Sequence, residues 1–136
     1  MTVGLVIVSH SARLAEGVAE LAGQMAQGKV QIAIAGGTAD GTLGTSVEKI
    51  VTALQTVKGS DGILVLLDLG SAVMSTEMAV ETFGQDHHQP VMISAAPLVE
   101  GAVIAAVEAS IGNSLQEVAE AAASAHTLPK LHSSNA

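Results

Sequence analysis

His10 stands between an apolar run, Val3-Gly4-Leu5-Val6-Ile7-Val8-Ser9, and a segment of helical period that starts at Ser11. An imidazole in such a strand-to-helix turn lies at the carboxyl end of a strand and beside the free amides of a helix N-terminus, where open α/β sheets do their chemistry. The positive end of that helix favours the neutral ring a nucleophile needs. Asp68 ends a later apolar run and could accept an N–H from one ring nitrogen, leaving the other nitrogen's lone pair free to attack phosphorus. The amides after His10, the Gly36-Gly37 turn and the hydroxyls of Ser11, Thr38 and Ser71 could receive phosphoryl oxygens. That chemistry is a transient phosphohistidine. Each residue also has a plainer reading. His10 can be a polar residue at a strand boundary, Asp68 a cap for the next helix, Ser71 a helix-start residue, and the glycine pair a sharp turn.

These residues must be positioned by the elements around them. Short β-branched apolar runs alternate with longer helical patterns, which is the signature of βαβ units. The runs predict strands over residues 3–9, 30–35, 62–67 and 91–95, the first and third continuously apolar as buried central strands are. Helix 1 places Leu14, Val18, Leu21, Ala22 and Met25 on one face and stops near Gly28. Helix 2 opens with Thr45 and Glu48 at capping-box spacing and aligns Val47, Ile50, Val51 and Leu54. Helix 3 is expected over 71–83, and helix 4 from a first turn holding Pro97 to Ile111. Ser114 and Glu117 form a second capping box that opens helix 5. The expected fold is α/β: a doubly wound, mainly parallel sheet of about four strands with helices on both faces. It forms a single domain over 1–126, followed by a flexible tail over 127–136. With strands 1 and 3 adjacent, the loops carrying His10 and Asp68 meet at a switch point.

Composition narrows the function. The 136 residues are 49% apolar, which suffices for one core. The absence of cysteine removes thiol chemistry and disulfides and fits a cytoplasmic setting. A net charge of −8 with scattered Arg13, Lys29, Lys49, Lys58 and Lys130 disfavours nucleic acid. Phe83 alone is aromatic, so base-stacking surfaces are excluded. No apolar run approaches the roughly 20 residues of a membrane span. His87-His88 lies in a polar loop and reads as loop polarity, not a metal site, and His126 and His132 fall near the end of the chain. No P-loop, dinucleotide-binding fingerprint or nucleophile elbow is present. Helix 4 is apolar through Ala102, Val103, Ala105, Ala106 and Val107; packing on the sheet explains much of this, and burial against a second copy could explain the excess.

Four blocks carry a more specific resemblance: residues 4–11 around His10, Gly36-Gly37-Thr38-Ala39-Asp40-Gly41 with Gly44-Thr45-Ser46, Leu67-Asp68-Leu69-Gly70-Ser71-Ala72, and Ala96-Pro97-Leu98-Val99-Glu100-Gly101-Ala102. In this order, over about residues 3–125, the chain resembles the DhaM family. DhaM proteins are phosphotransferase subunits of phosphoenolpyruvate-dependent dihydroxyacetone kinase, similar in fold to mannose-type enzyme IIA. The resemblance implies that His10 takes a phosphoryl group from a separate HPr phosphocarrier and passes it to ADP held on a nucleotide-binding kinase subunit. It also implies Asp68 as the residue that holds the histidine, Gly36, Gly37 and Thr38 as the phosphate-contacting turn, Ser71 as a further contact, Nε2 as the phosphorylated atom, and a homodimer. No bound cofactor is expected, only the phosphoryl group carried on His10. Two alternatives stay open. One is a sugar-directed mannose-type IIA component, whose relatives carry Gly-Gly-Ser-Pro where this chain has Gly70-Ser71-Ala72. The other is a non-catalytic anion-binding regulatory module.

Overall fold

The structure is a computed structural model that describes residues 2–57 and 61–131. Strands β1 (Gly4–Ser9) and β3 (Ile63–Leu67) are buried at every position, as strands covered on both faces must be. They lie side by side in parallel, Val8 opposite Leu67. Strand β2 (Ile32–Gly36) flanks β1 and β4 (Val91–Ile93) flanks β3, giving the all-parallel order β2-β1-β3-β4. The chain leaves β1 toward one side of the sheet and β3 toward the other. A crevice therefore opens between their carboxyl ends, at the switch point the pattern predicts.

Helices cover both faces. Helices α1 (Ala12–Met25), α4 (Leu98–Ser110) and α5 (Leu115–Ala123) pack on the face carrying Leu5, Ile7, Leu64 and Leu66. Helices α2 (Val47–Thr56) and α3 (Val73–Gly84) pack on the face carrying Val6, Val8, Val65 and Leu67. The Ser114–Glu117 capping box opens α5 as its spacing predicts. No helix among the described residues is long and apolar enough to cross a membrane.

Several boundaries differ from expectation, each for a local reason. Strand β2 starts at Ile32, opposite Leu5, and β4 ends at Ile93, opposite Val65, two residues before β3 itself ends at Leu67. Pro97 is the N-cap of α4, one position before its first turn, and Ile111 is the C-cap. A 3-10 turn over Gly70–Ala72 precedes α3, and another over Ser124–Thr127 carries helical backbone across the expected tail boundary. Lys130 then reaches Glu100 at 3.0 Å. His132 lies outside the described residues.

The face predicted for α1 is the main correction. Val18 and Ala22 of the expected face do meet the sheet, joined by Ala15, whereas Leu14, Leu21 and Met25 are exposed at 42%, 44% and 53%. At 100° per residue the exposed three form a strip displaced by roughly 70° from the buried line. Alanines let the helix lie close to the sheet, and the longer side chains are left on its flank. Val99 and Val107 of α4, which packs against α1, are exposed as well.

Candidate active site

A serine at the end of a buried strand must find partners, and Ser9 finds two. It is fully buried, its hydroxyl donates to Asp68 Oδ2 at 3.0 Å, and its oxygen accepts the Ser11 N–H at 3.0 Å. The His10 backbone N–H donates to the same Asp68 oxygen at 2.9 Å. The second carboxylate oxygen, Oδ1, faces His10 Nδ1 at 3.0 Å, and Ser71 Oγ lies 3.0 Å from Nε2. With Asp68 ionised, Nδ1 carries the proton and donates it, so Nε2 holds the lone pair and Ser71 donates to it. The His10 and Asp68 side chains are 25% and 10% exposed, which leaves the ring at the open crevice and its carboxylate behind it. Asp68 makes no helix cap, so that alternative reading falls away.

The other expected site residues have a range of placements. Ser11 is the N-cap of α1, its oxygen accepting the Leu14 N–H at 3.2 Å. Gly37 N–H donates to Ser9 O at 3.0 Å and Thr38 N–H to Thr42 O at 2.9 Å, so these two amides are engaged and do not await an anion. The Thr38 hydroxyl pairs with that of Thr42 at 2.7 Å, inside its own loop. Gly36 lies under the first turn of α1. Two residues that function-directed reading passed over belong to the site. Ser9 was signalled by being the one hydroxyl in an otherwise apolar strand. Gly44, whose N–H donates to His10 O at 2.9 Å, falls in a block that carries the family resemblance, which gave it no role of its own.

The family model described as PTS system fructose IIA component matches residues 4–119. The chain belongs to this IIA family. Among curated proteins it is 44% identical over 119 residues to the "PEP-dependent dihydroxyacetone kinase, phosphoryl donor subunit DhaM" of Escherichia coli (strain K12), covering 85% of this chain and 25% of the relative. The chain thus spans about a quarter of the length of the first curated relatives it matches. It is 36% identical over 124 residues to the phosphoryl donor subunit DhaM of "PEP-dependent dihydroxyacetone kinase 2" from Listeria innocua, covering 91% of this chain and 99% of that one. A crystal structure of a protein of unknown function superposes with a TM-score of 0.79 at 32% identity, covering 98% and 99% of the two chains. Homologues of this IIA-family chain are therefore DhaM subunits, and the solved neighbour shares its α/β fold.

Other features of the IIA chain lie away from His10. His87 stacks on Phe83 with ring centroids 4.3 Å apart and bonds Phe83 O through Nδ1 at 3.2 Å, a role in packing. Among the described residues no three His, Cys, Asp or Glu side chains cluster as metal ligands. A cavity of about 650 Å³ runs along the open edge of β2 past Ile32, Gly36 and Lys49, and none of the side chains bonded to the His10 ring lines it.

The electrostatics of Asp68 lead to a prediction. Burial pushes its carboxyl up, but the His10 backbone N–H, the His10 ring, the Ser9 hydroxyl and the charge of His10 outweigh that and hold it below its ordinary 3.8. A carboxyl that titrates lower when folded contributes stability above its unfolded value, and that contribution is lost as pH falls through the folded value. Unfolding free energy measured against pH should thus fall faster below about pH 4 in the wild type than in Asp68→Asn. Parallel acid profiles would refute the assignment.

Proposed function

We propose that this chain is a phosphohistidine carrier: His10 Nε2 takes a phosphoryl group from HPr and passes it to ADP on the nucleotide-binding subunit of a dihydroxyacetone kinase, in the cytoplasm. The observation that carries the reading is the His10 ring held between Asp68 at Nδ1 and Ser71 at Nε2 at the mouth of the crevice. In the forward step the Nε2 lone pair attacks phosphorus, and the bond from phosphorus to the donor breaks, its electron pair leaving with the donor. His10 then carries a proton on Nδ1 and a phosphoryl group on Nε2, and the Asp68 carboxylate balances the imidazolium. In the second step a terminal phosphate oxygen of ADP attacks the same phosphorus, and Nε2 recovers its lone pair.

Ser71 has to turn its hydroxyl from Nε2 toward a phosphoryl oxygen as the bond forms. It does not become the acceptor. Transfer needs an oxygen in line behind the P–N bond, and Oγ, once it swings off the Nε2 lone-pair axis to admit phosphorus, stays on the Nε2 side of it.

A phosphoryl group borne on another protein suits the surroundings. Leu43, Leu69, Met74 and Met78 are exposed large apolar side chains. Leu43 adjoins Gly44, Leu69 adjoins Asp68, and Met74 and Met78 follow Ser71 on α3. An apolar rim of this kind favours macromolecular docking over capture of a small sugar. The DhaM names of the relatives support dihydroxyacetone kinase as the destination.

Incubation with phosphoenolpyruvate, enzyme I and HPr followed by intact mass tests the first step. One acid-labile phosphate in the wild type and none in His10→Ala is the expected result. No uptake, or uptake that survives His10→Ala, would refute it. Discharge on adding the ADP-loaded kinase subunit is expected in the second step; discharge only to a sugar-specific component would place the chain with sugar IIA proteins instead.

The carrier is also proposed to be a homodimer, on the support of the exposed apolar strip formed by Leu14, Leu21 and Met25 of α1 with Val99 and Val107 of α4. Sedimentation should give a dimer that Leu21→Glu converts to a folded monomer. A wild-type monomer at micromolar concentration would overturn the assignment.

A further inference from the structure

The backbone and side chain of His10 are held at four points. Asp68 takes the backbone N–H and Nδ1, Ser71 meets Nε2, and Gly44 N–H donates to the His10 carbonyl at 2.9 Å. Three of these holds come from the segment between β3 and α3, and the fourth from the loop between β2 and α2. Precise placement of the ring therefore requires the two segments to keep a fixed relation to each other.

A side-chain hydrogen bond spans them. Thr45 Oγ1 and Ser75 Oγ are 2.9 Å apart and partly buried. Thr45 directly follows Gly44, and Ser75 lies one helical turn beyond Ser71. Among the described residues this is the only side-chain hydrogen bond that joins the β2–α2 loop to α3; the loop's other hydroxyl pair, Thr38 with Thr42, is internal. Both partners forgo the local bonds their positions offer. Ser46, not Thr45, caps α2 by accepting the Lys49 N–H at 3.2 Å. Hydroxyls inside helices commonly bond back to the carbonyl four residues earlier. Thr52, Thr56 and Thr82 do so here at 3.0, 2.7 and 3.1 Å, whereas Ser75 turns outward to Thr45.

We propose that the Thr45–Ser75 hydroxyl pair is a clasp that positions His10 for phosphoryl transfer, acting through Gly44 on one side and Ser71 on the other. The path is closed: His10 carbonyl, Gly44, Thr45, Ser75, the first turn of α3, Ser71 and His10 Nε2. Packing of α2 against α3 sets the approximate distance between the segments, and the clasp fixes the remainder. Thr45 and Ser75 are positioning residues, and neither is proposed to touch the phosphoryl group. The inference rests on the carrier reading for its consequence in rate but not for its geometry.

Positioning errors below 1 Å are costly in transfer reactions, so the effect should be kinetic. Ser75→Ala and Thr45→Val should each slow single-turnover phosphorylation of His10 by about 5- to 30-fold, with the KM for the phosphorylated donor within twofold of wild type. Because the two hydroxyls form one bond, the double variant should be no slower than the slower single variant. Ser75→Thr and Thr45→Ser, which keep the hydroxyl, should stay close to the wild-type rate. Independently of any transfer, the Gly44 amide should exchange with solvent faster in Ser75→Ala than in wild type, while core amides of β1 and β3 keep their protection. Rates multiplying in the double variant, hydroxyl-retaining variants as slow as alanine, or unchanged Gly44 exchange would each overturn the clasp. If the wild type accepts no phosphate, the carrier reading fails, and Gly44 exchange still decides the clasp.

Discussion

Asp68→Asn is expected to slow phosphorylation of His10 by about 10³-fold while the protein remains folded. The size of the effect follows from which way the new amide must face. Oδ2 of Asp68 accepts two donors, the Ser9 hydroxyl and the His10 backbone N–H. Only the carbonyl oxygen of an asparagine can take that place, so its NH₂ group is turned toward His10 Nδ1. A donor facing Nδ1 requires a lone pair there, and the ring proton moves to Nε2. The nucleophilic atom is then protonated, and the charge that stabilises the phosphorylated imidazolium is also gone. Two deficits from one substitution explain why an isosteric change outweighs the loss of a single hydrogen bond. Ring ¹⁵N shifts should report the Nδ1–H tautomer in wild type and the Nε2–H tautomer in the variant. A variant that reacts within tenfold of wild type would remove Asp68 from the chemistry.

Much of this arrangement was legible in the sequence because it depends on types and order. Runs such as Leu5-Val6-Ile7-Val8 and Ile63-Leu64-Val65-Leu66 are compatible only with doubly covered strands, and alternation with helices makes them parallel. Residues just past two adjacent central strands must then face one crevice, which brings His10 and Asp68 together. What stayed hidden depends on register and on competition between donors. Either Thr45 or Ser46 can cap α2, and only the three-dimensional position of Ser75 decides which of them does. Leu14, Leu21 and Met25 share helical spacing with Val18 and Ala22, and hydrophobicity placed them on the buried face in preference to Ala15, whereas close packing on a sheet selects small side chains. The amides of Gly37 and Thr38 looked available for an anion because sequence cannot show that Ser9 and Thr42 already accept from them.

Gly36→Ala is expected to lower stability by about 1–3 kcal/mol and to impair His10 phosphorylation in the same proportion as folded protein is lost or α1 is displaced. The resemblance assigned Gly36 to phosphate contact, but the geometry supplies a separate reason for glycine. A Cβ there would lie 2.6 Å from Ala12 Cα, 2.9 Å from Ser11 O and 3.0 Å from Ala15 Cβ. Two of the three are main-chain atoms and the third is a methyl group with no rotamer, so no side chain can turn aside. The start of α1 must lift, which strains Ala15 and Val18 against the sheet and moves Ser11, the residue directly after the nucleophile. Thermal unfolding and transfer rate measured on Gly36→Ala and Thr38→Ala separate the two explanations. A glycine required for packing loses stability and rate together, whereas Thr38→Ala, which removes only an exposed hydroxyl bonded within its loop, should keep its stability. If Gly36→Ala stays within about 0.5 kcal/mol of wild type and loses only rate, the glycine serves the phosphoryl group and the close approach of α1 is incidental.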